Sequence, residues 1–128
     1  MKEEKAIGSD FIDSSIWFSY FIDGFHKEII ERDEMLLTSI LSLFEVKKKL
    51  IEKKIPDNEV NEKINFIKKK SIIISISNEI AEESAEISVK NKLPAMDSLI
   101  YVSSLKQNST LITKDNDFRG LKNVEILS

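Results

Sequence analysis

The sequence contains no cysteine and a single histidine, His26, among its 128 residues. The lack of cysteine excludes disulfide bonds, thiolate metal sites and a cysteine nucleophile, and it fits a reducing compartment. One histidine excludes multi-histidine metal sites and disfavours a histidine-based catalytic triad. No apolar run approaches the ~20 residues that a membrane span needs, and residues 1–9 are charged and lack the apolar core of a signal peptide. We therefore expect a cytoplasmic protein with no membrane partner.

Charges of the two signs nearly balance, with 19 Lys and Arg against 22 Asp and Glu and a formal net charge of −3. No overall basic field indicates nucleic acid, although a local patch would suffice to contact phosphate. The lysine runs at 47–49, 53–54 and 68–70 fit phosphate contacts or solvated helix faces, and nearby glutamates favour the second interpretation. The length predicts one domain over residues 1–128.

Short runs of apolar and β-branched residues alternate with helical patterns along the chain. The predicted strands are residues 11–13, 35–38, 71–76, 110–113 and 123–127. Ser39 is predicted to open a helix whose apolar face comprises Ile40, Leu43, Phe44, Leu50 and Ile51. Strands that alternate with helices predict an α/β protein with three layers, in which helices cover both faces of a mostly parallel five-stranded sheet.

Acidic residues occur where the predicted strands end. Asp13 ends the first strand, Glu45 lies about one helical turn beyond the second, and Asp115 and Asp117 follow the fourth; Asp97 lies at the start of the preceding helix. Taken singly, each is explained as a helix cap, a solvated charge or a turn former. Together they would meet at one edge of a parallel sheet and repel each other unless a cation lies among them. Mg²⁺ or Mn²⁺, which prefer carboxylate oxygen, fit that role.

The four motifs that carry these acids resemble the PIN-domain family, in particular the small prokaryotic toxins of the VapC type. The matching segments are FIDSSIW (11–17), TSILSLFEV (38–46), LPAMDSLI (93–100) and LITKDNDF (111–118). The resemblance extends over residues 11–127. It implies a ribonuclease that depends on Mg²⁺ or Mn²⁺ and is built on a five-stranded parallel sheet. The run Gly8-Ser9-Asp10 departs from the family's longer apolar strand and indicates a short or altered first strand.

The resemblance implies four acids as the catalytic and metal-binding quartet: Asp13, Glu45, Asp97 and Asp115. Asp117 is an accessory to Asp115 or a substitute for it. Ser14 and Thr113 match hydroxyl positions near the metal or the scissile phosphate. Lys114 and Arg119 flank the last acids and are candidates for a phosphate contact. In the implied mechanism a metal-activated water attacks the phosphodiester, so no covalent nucleophile is required.

The same resemblance implies the toxin of a type II toxin–antitoxin pair, with RNA as its substrate, an antitoxin protein as its partner and a homodimeric state. An aromatic-rich segment is a candidate partner interface; it contains Trp17, Phe18, Tyr20, Phe21 and Phe25. One alternative is a PIN nuclease of RNA processing, and another is a PIN-like binding module without catalytic activity. A receiver-like phospho-acceptor domain is a further alternative, which Asp10 and Lys114 match only loosely.

Overall fold

The computed structural model describes residues 10–128, which form five strands and six helices. Residues 1–9 lie outside the described residues. The expectation about a signal peptide rests on them, and they include Gly8 and Ser9 of the run that departs from the family pattern. Within residues 10–128 no helix is both long and apolar enough to cross a bilayer. The elements in chain order are β1 (Asp10–Ile12), α1 (Ser14–Asp23), α2 (Lys27–Ile30), β2 (Leu36–Ser39), α3 (Ile40–Glu52), α4 (Asp57–Lys70), β3 (Ser71–Ile74), α5 (Asn78–Asn91), α6 (Ala95–Lys106), β4 (Thr110–Thr113), a single 3-10 turn (Asn116–Phe118) and β5 (Val124–Ile126).

The five strands form one parallel sheet in the order β3-β2-β1-β4-β5. This confirms the predicted α/β architecture with a parallel sheet. The order differs from the 2-1-3-4-5 order of receiver domains, so the receiver-like alternative is wrong. The chain moves outward from β1 in both directions, which places the topological switch point between β1 and β4. In open α/β sheets, ligands bind at the carboxyl ends of the strands beside that point.

Alternate residues of the strands supply two cores, one on each face of the sheet. On one face Ile12, Leu36 and Ile112 are buried with apolar residues of α1 to α4, including the fully buried Trp17. On the other face strand residues that include Phe11 are buried with residues of α6. Burial on both faces explains why the strands are apolar runs without a polar side.

Local signals set where several helices begin and end. The hydroxyl of Ser39 accepts a hydrogen bond from the N–H of Leu41 at 3.0 Å, and the hydroxyl of Ser77 accepts one from Ile80 at 3.1 Å. Such caps satisfy backbone donors that have no partner within the helix. Gly24 ends α1 with φ 73°, a left-handed conformation that glycine adopts at little cost.

The described part of β1 comprises Asp10–Ile12, and a short or altered start of this strand stays a prediction, because Gly8 and Ser9 lie outside the described residues. The carboxylate of Asp10 is largely buried and forms an ion pair with Arg32, Nη2 to Oδ2 2.7 Å. The ion pair compensates the cost of burying a charge at the start of a central strand.

The predicted apolar face of α3 is confirmed for Leu50, which is buried, and for Leu43, which packs partly buried against the core, and it is wrong for its other three members. Ile40, Phe44 and Ile51 are 43%, 60% and 54% exposed, whereas the helix packs on the core through Val46 and Leu50. The helix is apolar on two sides, and periodicity alone does not tell which side meets the sheet.

The outward side of α3 lines a groove of about 560 Å³ against α4 (the α3–α4 groove). Its lining residues are Ile40, Leu43, Phe44, Lys47, Lys48, Ile51, Glu52, Ile64 and Lys68.

Candidate functional site

Asp13 lies at the switch point of the sheet, directly after β1 and before the first turn of α1. Its N–H donates to the carbonyl of Ile112 in β4 at 3.0 Å, which fixes the end of β1 against β4. The side chain is buried, and one carboxylate oxygen, Oδ2, accepts hydrogen bonds from Thr113 at 2.7 Å and from Ser15 at 2.9 Å. Burial raises the pKa of Asp13, and these two hydrogen bonds oppose the rise.

Ser15 is a site residue that sequence reasoning missed, because two serines after an acid read as helix caps. In addition to its bond to Asp13, its hydroxyl accepts the N–H of Lys114 at 3.0 Å. It therefore ties the start of α1 to the residue that follows β4. The available signal was the consecutive Asp13-Ser14-Ser15, since one hydroxyl of such a pair can face the neighbouring strand.

Glu45 extends from α3 toward the same strand ends. The hydroxyl of Ser14 donates to Glu45 Oε1 at 2.9 Å, so α1 and α3 are joined at the site. Partial burial raises the pKa of Glu45, as does the charge of Asp13, whereas the cation of Lys49 lowers it. Ser14 thus contacts a predicted acid.

Three aspartates form a compact group beside this pair. Asp97, Asp115 and Asp117 each present a carboxylate oxygen, and these oxygens lie within 4.8 Å of one another. Asp97 is in the first turn of α6. The N–H of Asp115 donates to Thr113 at 3.0 Å, and that of Asp117 donates to Asp115 Oδ1 at 2.9 Å. Asp115 and Asp117 therefore both belong to the group, whereas the sequence left open which of the two would be the fourth ligand.

Asp97 carries a carboxyl that ionises less readily than that of an ordinary aspartate. Burial raises its pKa to about 7, and the charges of Asp115, Asp13, Asp117 and Glu45 add to the rise. Asp97 is therefore close enough to feel the charge of each of the other four acids that the sequence predicts at the site. Close carboxylates that repel in this way form a favourable environment for a cation.

The three aspartates fit a hard divalent cation. Neighbouring ligand oxygens around Mg²⁺ are about 3 Å apart and opposite ones about 4 Å apart, given bonds of about 2.1 Å. The observed oxygen separations, up to 4.8 Å, need only small side-chain adjustments to reach that range. The donor set consists of carboxylate oxygens, the type that Mg²⁺ and Mn²⁺ prefer.

A model of the PIN domain family matches residues 11–124 of the sequence. The chain belongs to the PIN-domain family. No curated protein sequence matches it significantly. The predicted family is thereby confirmed, and the observed five-stranded sheet is the fold expected of a PIN domain.

Solved structures share this PIN fold at low sequence identity. A toxin–antitoxin complex from Klebsiella pneumoniae superposes with a TM-score of 0.76 at 22% identity and covers 91% of this chain and 96% of that one. VapBC2 from Rickettsia felis, bound to a DNA fragment from its promoter, gives 0.73 at 16%, covering 92% and 96%. VapC20 from Mycobacterium tuberculosis, a sarcin–ricin loop cleaving toxin, gives 0.68 at 15%, covering 89% and 95%.

The two cations predicted to contact phosphate, Lys114 and Arg119, flank the late aspartates in the sequence and have other partners in the structure. The side chain of Lys114 extends back along α1, where Nζ contacts Ser19 Oγ at 3.3 Å. Arg119 is exposed and donates to Asn116 Oδ1 at 2.6 Å. Both cations thus have contacts other than the aspartates, and a phosphate contact by either one stays a prediction.

Most of the aromatic segment is part of the fold. Trp17 is buried and donates to Thr38 at 3.1 Å, and Tyr20 and Phe21 pack against Phe66 of α4. Phe25 differs, because 53% of its surface is exposed. A partner interface on this segment stays a prediction. Within the segment, Phe25 is the large apolar side chain that is exposed.

Proposed function

We propose that this PIN domain is an endoribonuclease that depends on Mg²⁺ or Mn²⁺ and acts as the toxin of a toxin–antitoxin pair. The observation that carries the proposal is the group of Asp97, Asp115 and Asp117, with carboxylate oxygens within 4.8 Å. Asp13 and Glu45 lie close enough for their charges to raise the pKa of Asp97. We assign the cation to these five acids.

The chain's own residues prepare the site for hydrolysis. Thr113 and Ser15 fix the Asp13 carboxylate, and Ser14 fixes that of Glu45. These hydrogen bonds restrict the orientation of the two carboxylates before the substrate binds, and such preorganised groups favour charge stabilisation during reaction. Bound Mg²⁺ or Mn²⁺ would neutralise the charge of the phosphodiester and lower the pKa of a bound water.

RNA as the substrate and an antitoxin as the partner are supported by proteins of the same fold. One of them is a toxin that cleaves the sarcin–ricin loop, and another is a toxin–antitoxin complex. A candidate surface for the antitoxin is the α3–α4 groove, which exposes Phe44 and Ile51 between Lys47, Lys48 and Lys68. An exposed apolar groove with a cationic rim suits an amphipathic segment that carries acidic residues.

Cleavage of a mixed RNA pool tests the nuclease. The purified chain is incubated with Mg²⁺, with Mn²⁺ or with EDTA, beside Asp97→Asn and the control Asp57→Asn, which changes an exposed acid of α4. We expect cleavage that requires a metal, is lost in Asp97→Asn and persists in Asp57→Asn. Cleavage in EDTA, or equal cleavage by both variants, would contradict the assignment. A wild-type chain that binds Mn²⁺ and cleaves no RNA would favour the binding-module alternative.

Expression in a bacterial host separates a toxin from a nuclease of RNA processing. A toxin is expected to arrest growth when induced, and Asp97→Asn is expected to remove that effect at equal protein level. Normal growth with active wild-type enzyme would favour RNA processing.

We also propose a homodimer, for which light scattering should give the mass of two 14.7 kDa chains.

A further inference from the structure

We propose that Phe25 and Lys114 form a subsite for an unpaired nucleotide beside the acidic group, with the base on the Phe25 ring and the adjacent phosphate on Lys114. The inference rests on the proposed ribonuclease function and assigns the Phe25 ring, with Lys114, to the binding of the substrate. It is carried by an exposed aromatic ring, a cation that contacts the ring, and the position of that cation in the chain.

The first observation is the exposure of the ring. Phe25 follows Gly24, where α1 ends, and keeps 53% of its surface exposed, while its neighbours Tyr20 and Phe21 pack against each other. Gly24 and His26 on either side both have positive φ, 73° and 65°. The sharp change of chain direction presents Phe25 outward. An exposed aromatic ring is the usual surface on which an unstacked base rests.

The second observation is the cation at the ring. Lys114 Nζ lies 5.9 Å from the centroid of the Phe25 ring, within the range of a cation–π contact. The ammonium is also held by Ser19 Oγ at 3.3 Å. These contacts keep the positive charge of Lys114 beside the exposed ring. A nucleotide can bind to both groups, because its flat base can stack on the ring and its phosphate can pair with the ammonium.

The third observation is the short path from this ring to the acids. Lys114 lies between Thr113, which holds Asp13, and Asp115, which belongs to the aspartate group. Its backbone N–H is fixed by Ser15, which also donates to Asp13. One lysine side chain therefore spans from the acidic site to the ring. A strand whose phosphodiester lies at the acids can place a nearby base on Phe25.

The structure favours single-stranded RNA over a duplex at this subsite. The bases of an A-form duplex are stacked on one another and cannot cover a protein ring. The opposite charges of the two regions also separate their roles, since the aspartates repel phosphate unless a cation is present, whereas Lys114 attracts it directly. Phe25 and Lys114 thus contribute to binding and substrate choice, and the acids to hydrolysis.

Fluorescence anisotropy of a labelled random-sequence RNA decamer tests the subsite without cleavage. All variants carry Asp97→Asn in addition, so that the probe stays intact. Phe25→Ala is expected to weaken binding by about 5- to 150-fold, the range measured for loss of one base–aromatic stack. Phe25→Trp should restore it to within about twofold. Ile72→Ala is the control, because Ile72 is an exposed apolar residue (46%) on the edge strand β3.

The outcomes separate this inference from the proposed function. Equal binding by Phe25→Ala and its parent, or no binding of the decamer by the parent, would overturn the subsite. Equal loss for the single-stranded decamer and for a paired duplex of the same sequence would overturn the preference for unpaired RNA. Binding that depends on Phe25, together with a wild-type chain that cleaves no RNA in Mg²⁺ or Mn²⁺, would support the subsite and contradict the nuclease.

Discussion

Replacement of Asp97 by asparagine is expected to stabilise the metal-free PIN domain at pH 8. Asp97 is half-buried, and burial together with the charges of Asp115 and Asp13 raises its pKa to about 7 from the ordinary 3.8. Ionisation of this carboxyl therefore costs more in the folded chain than in the unfolded chain. Asparagine has nearly the same shape and no charge, so it removes that cost while it retains the packing.

The size of the effect follows from the two pKa values. A difference from 3.8 to about 7 corresponds to an upper value of about 4 kcal/mol at about 1.4 kcal/mol per pKa unit. Because half of the side chain faces solvent, screening reduces this to about 1–2 kcal/mol. A chain of 128 residues has an unfolding entropy of about 0.27 kcal/mol/K, so the Tm should rise by about 4–7 °C.

The pH dependence has a definite sign. An acid whose pKa is higher in the folded state contributes stability below its unfolded value of 3.8, and this contribution is lost as the pH rises to about 7. The difference between Asp97→Asn and wild type should therefore be small near pH 4, grow up to about pH 7 and remain constant above it.

Thermal unfolding in EDTA at a series of pH values between 4 and 8.5 measures the effect. Asp57→Asn serves as the control; it removes a first-turn carboxylate of α4 and should lower the Tm, not raise it, by at most about 4 °C. A lower Tm for Asp97→Asn at pH 8, or a difference that does not change between pH 4 and pH 8, would refute the reasoning about mutual repulsion in the acidic group.

Three further perturbations test other parts of the site and fold. Mg²⁺ at about 100 times its Kd should raise the free energy of unfolding at pH 8 by about 2.7 kcal/mol; an equal rise in Asp97→Asn would place the ion elsewhere. Thr113→Val removes the bonds to Asp13 and to the N–H of Asp115 and should cost about 2 kcal/mol in urea unfolding, whereas Thr113→Ser should retain most of it. Arg32→Ala leaves the carboxylate of Asp10 unpaired and should cost about 1–3 kcal/mol at pH 7; the loss should shrink in an Asp10→Asn background, and an equal loss in that background would argue against the ion pair.

The sequence was most informative where local chemistry and the repeating pattern agree. Ser39 and Gly24 mark helix ends by hydrogen bonding and by a left-handed backbone, which are local properties. Alternation of strands with helices was sufficient to predict the parallel sheet. The acids after the strands converge because parallel strands end at one edge, and in the structure Asp97, Asp115 and Asp117 do lie together.

Features that depend on non-local contacts were out of reach. The outward side of α3 reads as core, because Phe44 and Ile51 recur at helical spacing whichever side meets the sheet. The function of Ser15 depends on a residue almost a hundred positions away, Thr113, which stands next to it only after β1 and β4 pair. Phe25 was grouped with the other aromatic residues, and only the chain reversal at the end of α1 exposes it.

The ends left on cleaved RNA test the central claim most directly. Hydrolysis by a water at the acidic group does not involve the neighbouring 2′-hydroxyl, whereas attack by that hydroxyl leaves a 2′,3′-cyclic phosphate. End mapping of fragments produced in Mn²⁺ should therefore show no cyclic phosphate, and the same cuts should be absent in EDTA and in Asp97→Asn. Cyclic phosphate ends, or cuts that persist in Asp97→Asn, would contradict metal-dependent hydrolysis at these acids.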